Sequence, residues 1–379
     1  MIERTLDKRL LAEALTESPV VLLTGPRQAG KSTLARTVVA PEDKNVFDLE
    51  DPRDLNRLSE PTLILPELRG TVIIDEAQRQ PELFPILRVL VDEDPRPGRF
   101  LILGSASPDL VGLTSESLAG RVHLIELGGL RASDLEPEDD ARLWLRGGLP
   151  RSFTSASDTS SQRWRDNYIS TFLERDLANL GIRIPATTMR RFWTMLAHFH
   201  AQRWNGAELA RGLGVSQPTV RRYLDALTDA LVVRQVQPWL ANVAKQQVRS
   251  PKVFLRDSGL LHRLLGIGDR NDLLGHPKVG ASWEGFVVEQ LLALPGVRAG
   301  WHWASHGGAE IDLLLDIGTE RIGVEIKRTD RPTLTPSMRT ALDDLELAKV
   351  IVVHAGSDRY PLADSVTAVP ASEAIRGHL

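Results

Sequence analysis

A chain of 379 residues exceeds the roughly 250–300 over which one hydrophobic core keeps growing, so two or three domains are expected. Its 42% hydrophobic and 25% charged content is ordinary for a soluble globular protein, and the lack of Cys excludes disulfides and cysteine-ligated metal. The net charge of −4 is unevenly spread: residues 201–256 carry nine Lys or Arg against three Asp or Glu, while residues 41–60 and 132–140 are acidic. Met1-Ile2-Glu3 opens a charged stretch unlike a signal peptide, and apolar runs such as Val20 to Leu23 are too short to cross a bilayer. A cytoplasmic protein without membrane contact is therefore expected.

In chain order, residues 4–15 read as an amphipathic helix with Leu6, Leu10, Leu11 and Leu15 on one face. Val20 to Leu23 reads as a buried strand, followed by a glycine-bounded turn and a helix from Lys31. Further apolar strands are Thr71 to Ile74 and Phe100 to Leu103, the latter ending at Gly104-Ser105. Strands alternating with helices predict a parallel sheet covered on both faces. The Ser/Thr-rich stretch from Ser152 to Ser161 reads as a linker or exposed loop, with helical segments from about Gln162 to His200.

Gly25-Pro26-Arg27-Gln28-Ala29-Gly30-Lys31-Ser32 fits the G-x-x-x-x-G-K-[ST] pattern between that first strand and helix. Glycines let such a loop wrap phosphate closely, and the helix N-terminus adds a favourable dipole. Gly25, Pro26, Gln28, Ala29, Gly30, Lys31, Ser32 and Thr33 are the expected ATP-binding residues, with Lys31 on the β- and γ-phosphates and Ser32 on Mg²⁺. Asp75 and Glu76 follow the strand Val72-Ile73-Ile74, where one carboxylate would hold Mg²⁺ and the other orient the attacking water. The plain alternative is a surface pair capping the next helix. Ser105 would meet the γ-phosphate or that water, and Arg121 would stabilise charge, in cis or from a neighbouring subunit.

Thr24-Gly25-Pro26-Arg27-Gln28, Asp75-Glu76-Ala77-Gln78, Gly104-Ser105 and Gly147-Gly148-Leu149-Pro150 resemble the prokaryotic AAA-type ATPases related to the archaeal ATPase family. The resemblance implies an AAA+ core, a helical segment after it, and a homo-oligomer such as a ring.

Ala207 to Leu213, a turn at Gly214-Val215-Ser216 and Gln217 to Ala230 read as a helix-turn-helix, with Leu231 to Val236 as the strand of a wing. On DNA, Gln217, Thr219, Arg221 and Arg222 would face a groove and Arg234 would meet phosphate. The same module would equally serve as a lid or an oligomer contact, and fold alone does not decide.

Towards the C-terminus, Ser282 to Leu294 reads as a helix carrying Glu284. Trp301 to Ser305, Ile311 to Ile317 and Arg321 to Lys327 read as strands, followed by a helix near Pro336 to Leu345 and a strand Val350 to His354. Glu325 and Lys327 share one strand face, and a turn at Gly318-Thr319 would bring Asp312 beside Glu325. Helix-Glu, strand-Asp and strand Glu-x-Lys resemble the PD-(D/E)xK phosphodiesterase superfamily, with its restriction-endonuclease-like fold. The resemblance implies Mg²⁺ or Mn²⁺ on Asp312 and Glu325, with Glu284 completing the metal site and Lys327 activating water. Glu310 would be an outer partner only.

The expected architecture is α/β: an ATPase domain over residues 1–155, a helical segment over 156–202, a winged helix over 203–240 and a nuclease-like domain over 241–379. The expected function is ATP hydrolysis coupled to action on DNA. The rival is a nucleotide-gated regulatory switch whose C-terminal domain binds without cleaving.

Overall fold

The computed structural model describes residues 2–40, 42–105, 108–177, 184–240, 249–305 and 307–379. Residues 178–183 of the expected helical stretch, and residues 241–248 that open the expected last domain, lie outside the described residues. The chain divides into two compact units, one running to Leu130 and the other comprising most of the remainder from Arg131 to Leu379. Among the described residues, no helix is long and apolar enough to cross a membrane.

The first unit is built on five strands: β1 (Val20–Gly25), β2 (Val46–Asp48), β3 (Val72–Asp75), β4 (Phe100–Ser105) and β5 (Val122–Glu126). They lie in the order β2-β3-β4-β1-β5 and every pairing is parallel. Side chains alternate across a strand, so a sheet covered on both faces needs continuous apolar runs. Val20, Leu22, Ile74 and Ile102 accordingly enter one core with Phe84 and Leu87 of the helix Leu83–Glu93. Val21, Leu23, Ile73 and Leu101 enter the other with Leu34 and Leu11. The helix Thr5–Glu17 buries Asp7, Leu11 and Ala14, with Arg4 just before it, whereas Leu10 is exposed. This corrects the expected leucine face at Leu10 alone, since Leu11 is buried and Leu15 packs against the same core, while Asp7, paired with Arg4, is buried as well.

The second unit contains a small sheet, with strands β6 (Gln202–Arg203), β7 (Val233–Val236) and β8 (Lys252–Leu255) in the antiparallel order β6-β8-β7. It also contains a mixed sheet of β9 (Val297–Ala304), β10 (Glu310–Ile317), β11 (Glu320–Lys327), β12 (Lys349–His354), β13 (Tyr360–Ala363) and β14 (Val366–Pro370). Their order is β13-β14-β12-β11-β10-β9; β9, β10 and β11 pair antiparallel, and β11, β12 and β14 pair parallel. Trp303, Ile311 and Leu314 pack under Met338 and Ala341 of the helix Pro336–Leu345.

The expected linker at Ser152 to Ser161 is instead the junction of two helices, Pro150–Phe153 and Asp158–Thr171. Ser152 and Ser161 are fully buried, with hydroxyls 2.9 Å apart, and Ser152 donates to the Arg146 carbonyl at 2.6 Å. Hydroxyls can be buried when they find partners, and polarity alone mislabels them as solvent-facing. Nearby, the Asp257 carboxylate accepts from the Gly148 and Leu149 amides at 2.9 and 3.2 Å. It also caps the helix Ser258–Leu264 by accepting from the Leu260 amide at 2.8 Å. A Cβ on Gly147, whose φ is +81°, would fall 2.2 Å from an Asp257 oxygen, so only glycine fits.

His262 lies buried between the Leu145 carbonyl, 2.9 Å from Nδ1, and the Ser282 hydroxyl, 2.6 Å from Nε2. Neutral imidazole protonated at Nδ1 satisfies both contacts, and burial drives its pKa down to about 3. The unfolded chain binds a proton near pH 6.5 that the native chain refuses, so stability is lost as the pH falls from about 6.5 towards about 3. Melting curves between about pH 7 and pH 5 should show a falling Tm, with a shallower fall in His262→Gln.

Candidate functional site

The nucleotide-type loop begins where β1 ends. A Cβ on Gly25 would lie 2.3 Å from the Leu127 carbonyl oxygen, so the loop leaves the sheet through a space only glycine fits. Gln28 and Gly30 take left-handed backbone, with φ of 61° and 98°, and the Ala29 amide between them donates to the Pro26 carbonyl at 3.3 Å, which closes the turn of the loop. Lys31 opens the next helix, and its buried ammonium donates to the Gly25 and Pro26 carbonyls at 3.1 and 3.2 Å. Burial lowers its pKa, opposed by the nearby Glu76 and Asp75 carboxylates.

The parallel register lines up the ends of three strands. Gly25 pairs with Ser105 across β1 and β4, and β3 lies on the far side of β4. The Ser32 hydroxyl donates to Asp75 Oδ2 at 2.5 Å. Glu76 has left-handed backbone, φ 54°, a strain that costs a non-glycine residue on the order of 1 kcal/mol and gathers at working sites. Its carboxylate accepts from the Gln78 amide at 2.5 Å. Burial raises the pKa of both Asp75 and Glu76, while Lys31 opposes the rise. A hydroxyl and a carboxylate in contact, a lysine beside them and a glycine cradle together fit a magnesium nucleotide.

Arg121 is placed elsewhere. It precedes β5, and its carbonyl accepts from the Val20 amide at 3.3 Å, at the opposite end of β1 from the loop. Five strand steps separate those ends, about 17 Å. Its guanidinium pairs with Asp92 at 2.6 Å, so a charge-stabilising role for Arg121 within its own chain's site is overturned.

Sequence reading missed Arg4. Its guanidinium donates to the Ala29 carbonyl of the loop at 2.9 Å, to the Gly128 and Gly129 carbonyls at 3.0 and 2.9 Å, and to Asp7 at 2.8 Å. Only the basic residue before an amphipathic helix could have signalled it. Arg4→Met should destabilise the fold by about 3 kcal/mol, as expected for removing one member of a buried ion pair, and weaken nucleotide binding. Urea denaturation and titration with a fluorescent ATP analogue would measure the two effects.

A second group of charged residues gathers on the mixed sheet. The pairing of Leu313 with Val324, continued by one residue, sets Asp312 beside Glu325. The pairing of β10 with β9 shifts register between Ile311 and Leu314, an irregularity that spans the buried Asp312. Glu284 comes from the helix Val279–Leu292, drawn close by Gly285, where a Cβ would fall 2.0 Å from His200 Nε2. Lys327 pairs with Glu325 at 2.7 Å. Burial raises Glu284 to about 8 and Glu325 to about 7, with the Asp312 charge adding to both. Asp312 stays low despite burial because Lys252 and the Ile326 amide hold it charged.

Lys252 is the residue the motif did not predict. Its ammonium donates to Glu284 Oε1 and Asp312 Oδ1, both at 2.9 Å. Glu284 and Asp312 are thus bridged by an ammonium at the position where the motif leads one to expect a metal ion. Among the described residues, no three His, Asp or Glu side chains are disposed to hold a metal ion. The donor chemistry nevertheless suits one: Glu325 Oε2 is buried with no hydrogen-bond partner.

The helix Gly206–Leu213, the turn at Gly214 and the helix Gln217–Asp229 lead into β7. Gln217, Arg221 and Arg222 are exposed and Thr219 is half-buried. Arg234 does not present itself to phosphate: its guanidinium is forked onto the buried Glu289, which Arg256 also holds. A basic residue on a strand reads as surface charge until its buried partner is known.

The first unit's parallel sheet, with its loop, hydroxyl and paired carboxylates, is a P-loop ATPase domain of the AAA type, and residues 17–136 match the AAA domain family. Residues 138–271 and 279–374 match two families described as domains of unknown function, DUF8612 and DUF4143. Uncharacterized protein Rv2008c of Mycobacterium tuberculosis and Uncharacterized protein Mb2031c of Mycobacterium bovis are each 60% identical over 373 residues, 98% of this chain and 85% of theirs. The chain belongs to the family of these mycobacterial proteins. The Walker-type ATPase PABY2304 of Pyrococcus abyssi shares its fold, with a TM-score of 0.50 at 16% identity over 70% of this chain and 96% of that one.

Proposed function

We propose that this ATPase acts on DNA, holding it with a winged helix and presenting it to a restriction-endonuclease-like site on the mixed sheet. One observation carries the reading. A cleft of about 780 Å³ lined by Trp204, Gln217 and Arg221 shares Asn205 with a cleft of about 480 Å³ lined by Arg203, Lys252, Glu284, Asp312 and Lys327. A strand held at the start of the second helix of the helix-turn-helix would therefore run on into the acidic cleft. The element order of helix, three strands, helix and strand also supports the fold reading.

At the ATPase site, Lys31 would meet the β- and γ-phosphates, Ser32 and Asp75 would hold Mg²⁺, Ser105 would contact the γ-phosphate, and Gln78 would aim Glu76 at the attacking water. The ion supplies charge neutralisation on the phosphates when bound. At the acidic cleft, Lys327 would orient water and Asp312 and Glu325 would hold Mg²⁺. Arg121, remote from its own site, would serve a neighbouring subunit in a homo-oligomer.

Lys31→Ala should lose nucleotide binding, whereas Glu76→Gln should bind ATP and lose turnover by about a hundredfold or more. Retained turnover in Glu76→Gln would remove it from the base role. ATP turnover should rise with single-stranded, duplex or branched DNA, and Mg²⁺-dependent cleavage should vanish in Asp312→Ala. An ATPase indifferent to all three DNAs, with no salt-sensitive DNA binding, would overturn the DNA reading.

A nucleotide-gated switch that binds without cutting is favoured by one feature, the Lys252 ammonium between two of the acidic residues. Absence of cleavage by the unaltered chain with Mg²⁺ or Mn²⁺, alongside retained DNA binding, would select it.

A further inference from the structure

The acidic cleft contains a cation of its own. Lys252 lies on β8, the central strand of the small sheet, held opposite Arg203 of β6 and Val236 of β7. The residue is 8% exposed, and its ammonium donates at 2.9 Å to an oxygen of Glu284 and at 2.9 Å to an oxygen of Asp312. The second Asp312 oxygen accepts from the Ile326 amide at 3.0 Å. Glu325 gives one oxygen to Lys327 at 2.7 Å and leaves the other buried and unpartnered. Three carboxylates therefore face two ammonium groups.

An ammonium and a divalent ion compete for the same lone pairs. Mg²⁺ needs oxygens at about 2.0–2.1 Å, and Mn²⁺ likewise selects hard oxygen ligands. An ion bound to Asp312 Oδ1 and Glu284 Oε1 would take the oxygens that the Lys252 ammonium now holds and repel it at short range. We propose that Lys252 is the resident cation of this cleft, seated between Glu284 and Asp312 where a divalent ion would bind, and that Mg²⁺ or Mn²⁺ enters only as the ammonium leaves. This rests on reading Asp312 and Glu325 as ligands of a nuclease-like site. It goes further in making occupancy of that site an exchange between lysine and metal. The four-carbon stem of lysine permits the exchange without moving β8. Lys252 is thus a positioning residue that sets the ion affinity of its neighbours.

The test reads ion binding and not cleavage. Full-length protein without nucleotide is titrated with Mn²⁺ and free ion is followed by electron paramagnetic resonance. Lys252→Met and Lys252→Gln should each bind Mn²⁺ about tenfold tighter or more than the unaltered chain, the scale on which neighbours of metal ligands act. Adding Asp312→Asn to Lys252→Met should abolish that gain, which locates it in the cleft. Equal affinity in the three proteins, or no Mn²⁺ site in a Lys252 variant that keeps its circular dichroism and melting transition, overturns the proposal.

Amine acetylation followed by mass spectrometry tests the unaltered chain, whatever the variants' folding. Lys252 should be protected without metal and modified at saturating Mn²⁺, while unchanged protection at saturation overturns the exchange. A chain that never cuts DNA still gives both readouts, so the nuclease reading and the lysine exchange fail separately.

Discussion

A charge taken out of water must meet an opposite charge or a full set of hydrogen bonds, and that constraint shapes both sites. Lys31 is buried against its own loop carbonyls with Asp75 and Glu76 near enough to oppose the loss of its proton. Lys252 is buried against Glu284 and Asp312, and there the pairing outweighs the burial. Arg4 with Asp7, and Glu289 with Arg234 and Arg256, obey the same rule where no substrate is at issue. Burial of paired charge is thus the common fabric of this protein. A perturbed carboxylate marks a site only when a cleft and an unsatisfied oxygen accompany it.

Much of the first unit was legible in the sequence, because its signals are local. Val20 to Gly25 and Phe100 to Ser105 are unbroken apolar runs ending in small residues, and the loop motif lies in eight consecutive positions. The strands β2 and β5 were not legible. One has three residues, and the other is an edge strand with two exposed positions and an exposed Leu124. The leucine face of the first helix misled only at Leu10, because periodicity counts apolar residues and not ion pairs and so could not see the buried Asp7.

In the second unit, spacing along β10 and β11 was enough to name Asp312, Glu325 and Lys327 as neighbours. It could not name Lys252, which joins them from a strand 60 residues earlier in the chain. Nor could it see that Arg234 turns to Glu289, 55 residues away. Long-range partners of charged residues leave no periodic trace, which is why the elements were easier to read than the site's electrostatics.

The Asp257 carboxylate joins three backbone amides from two distant stretches, and Gly147 clears the space for it. Burial raises its pKa, and those amides are part of what holds its charge. The turn at Gly147 to Leu149 therefore belongs physically to the helix more than a hundred residues downstream. A fragment starting at residue 156 would strip this acid of two of its three amides, and a side chain at position 147 would injure the later helix as surely as its own turn.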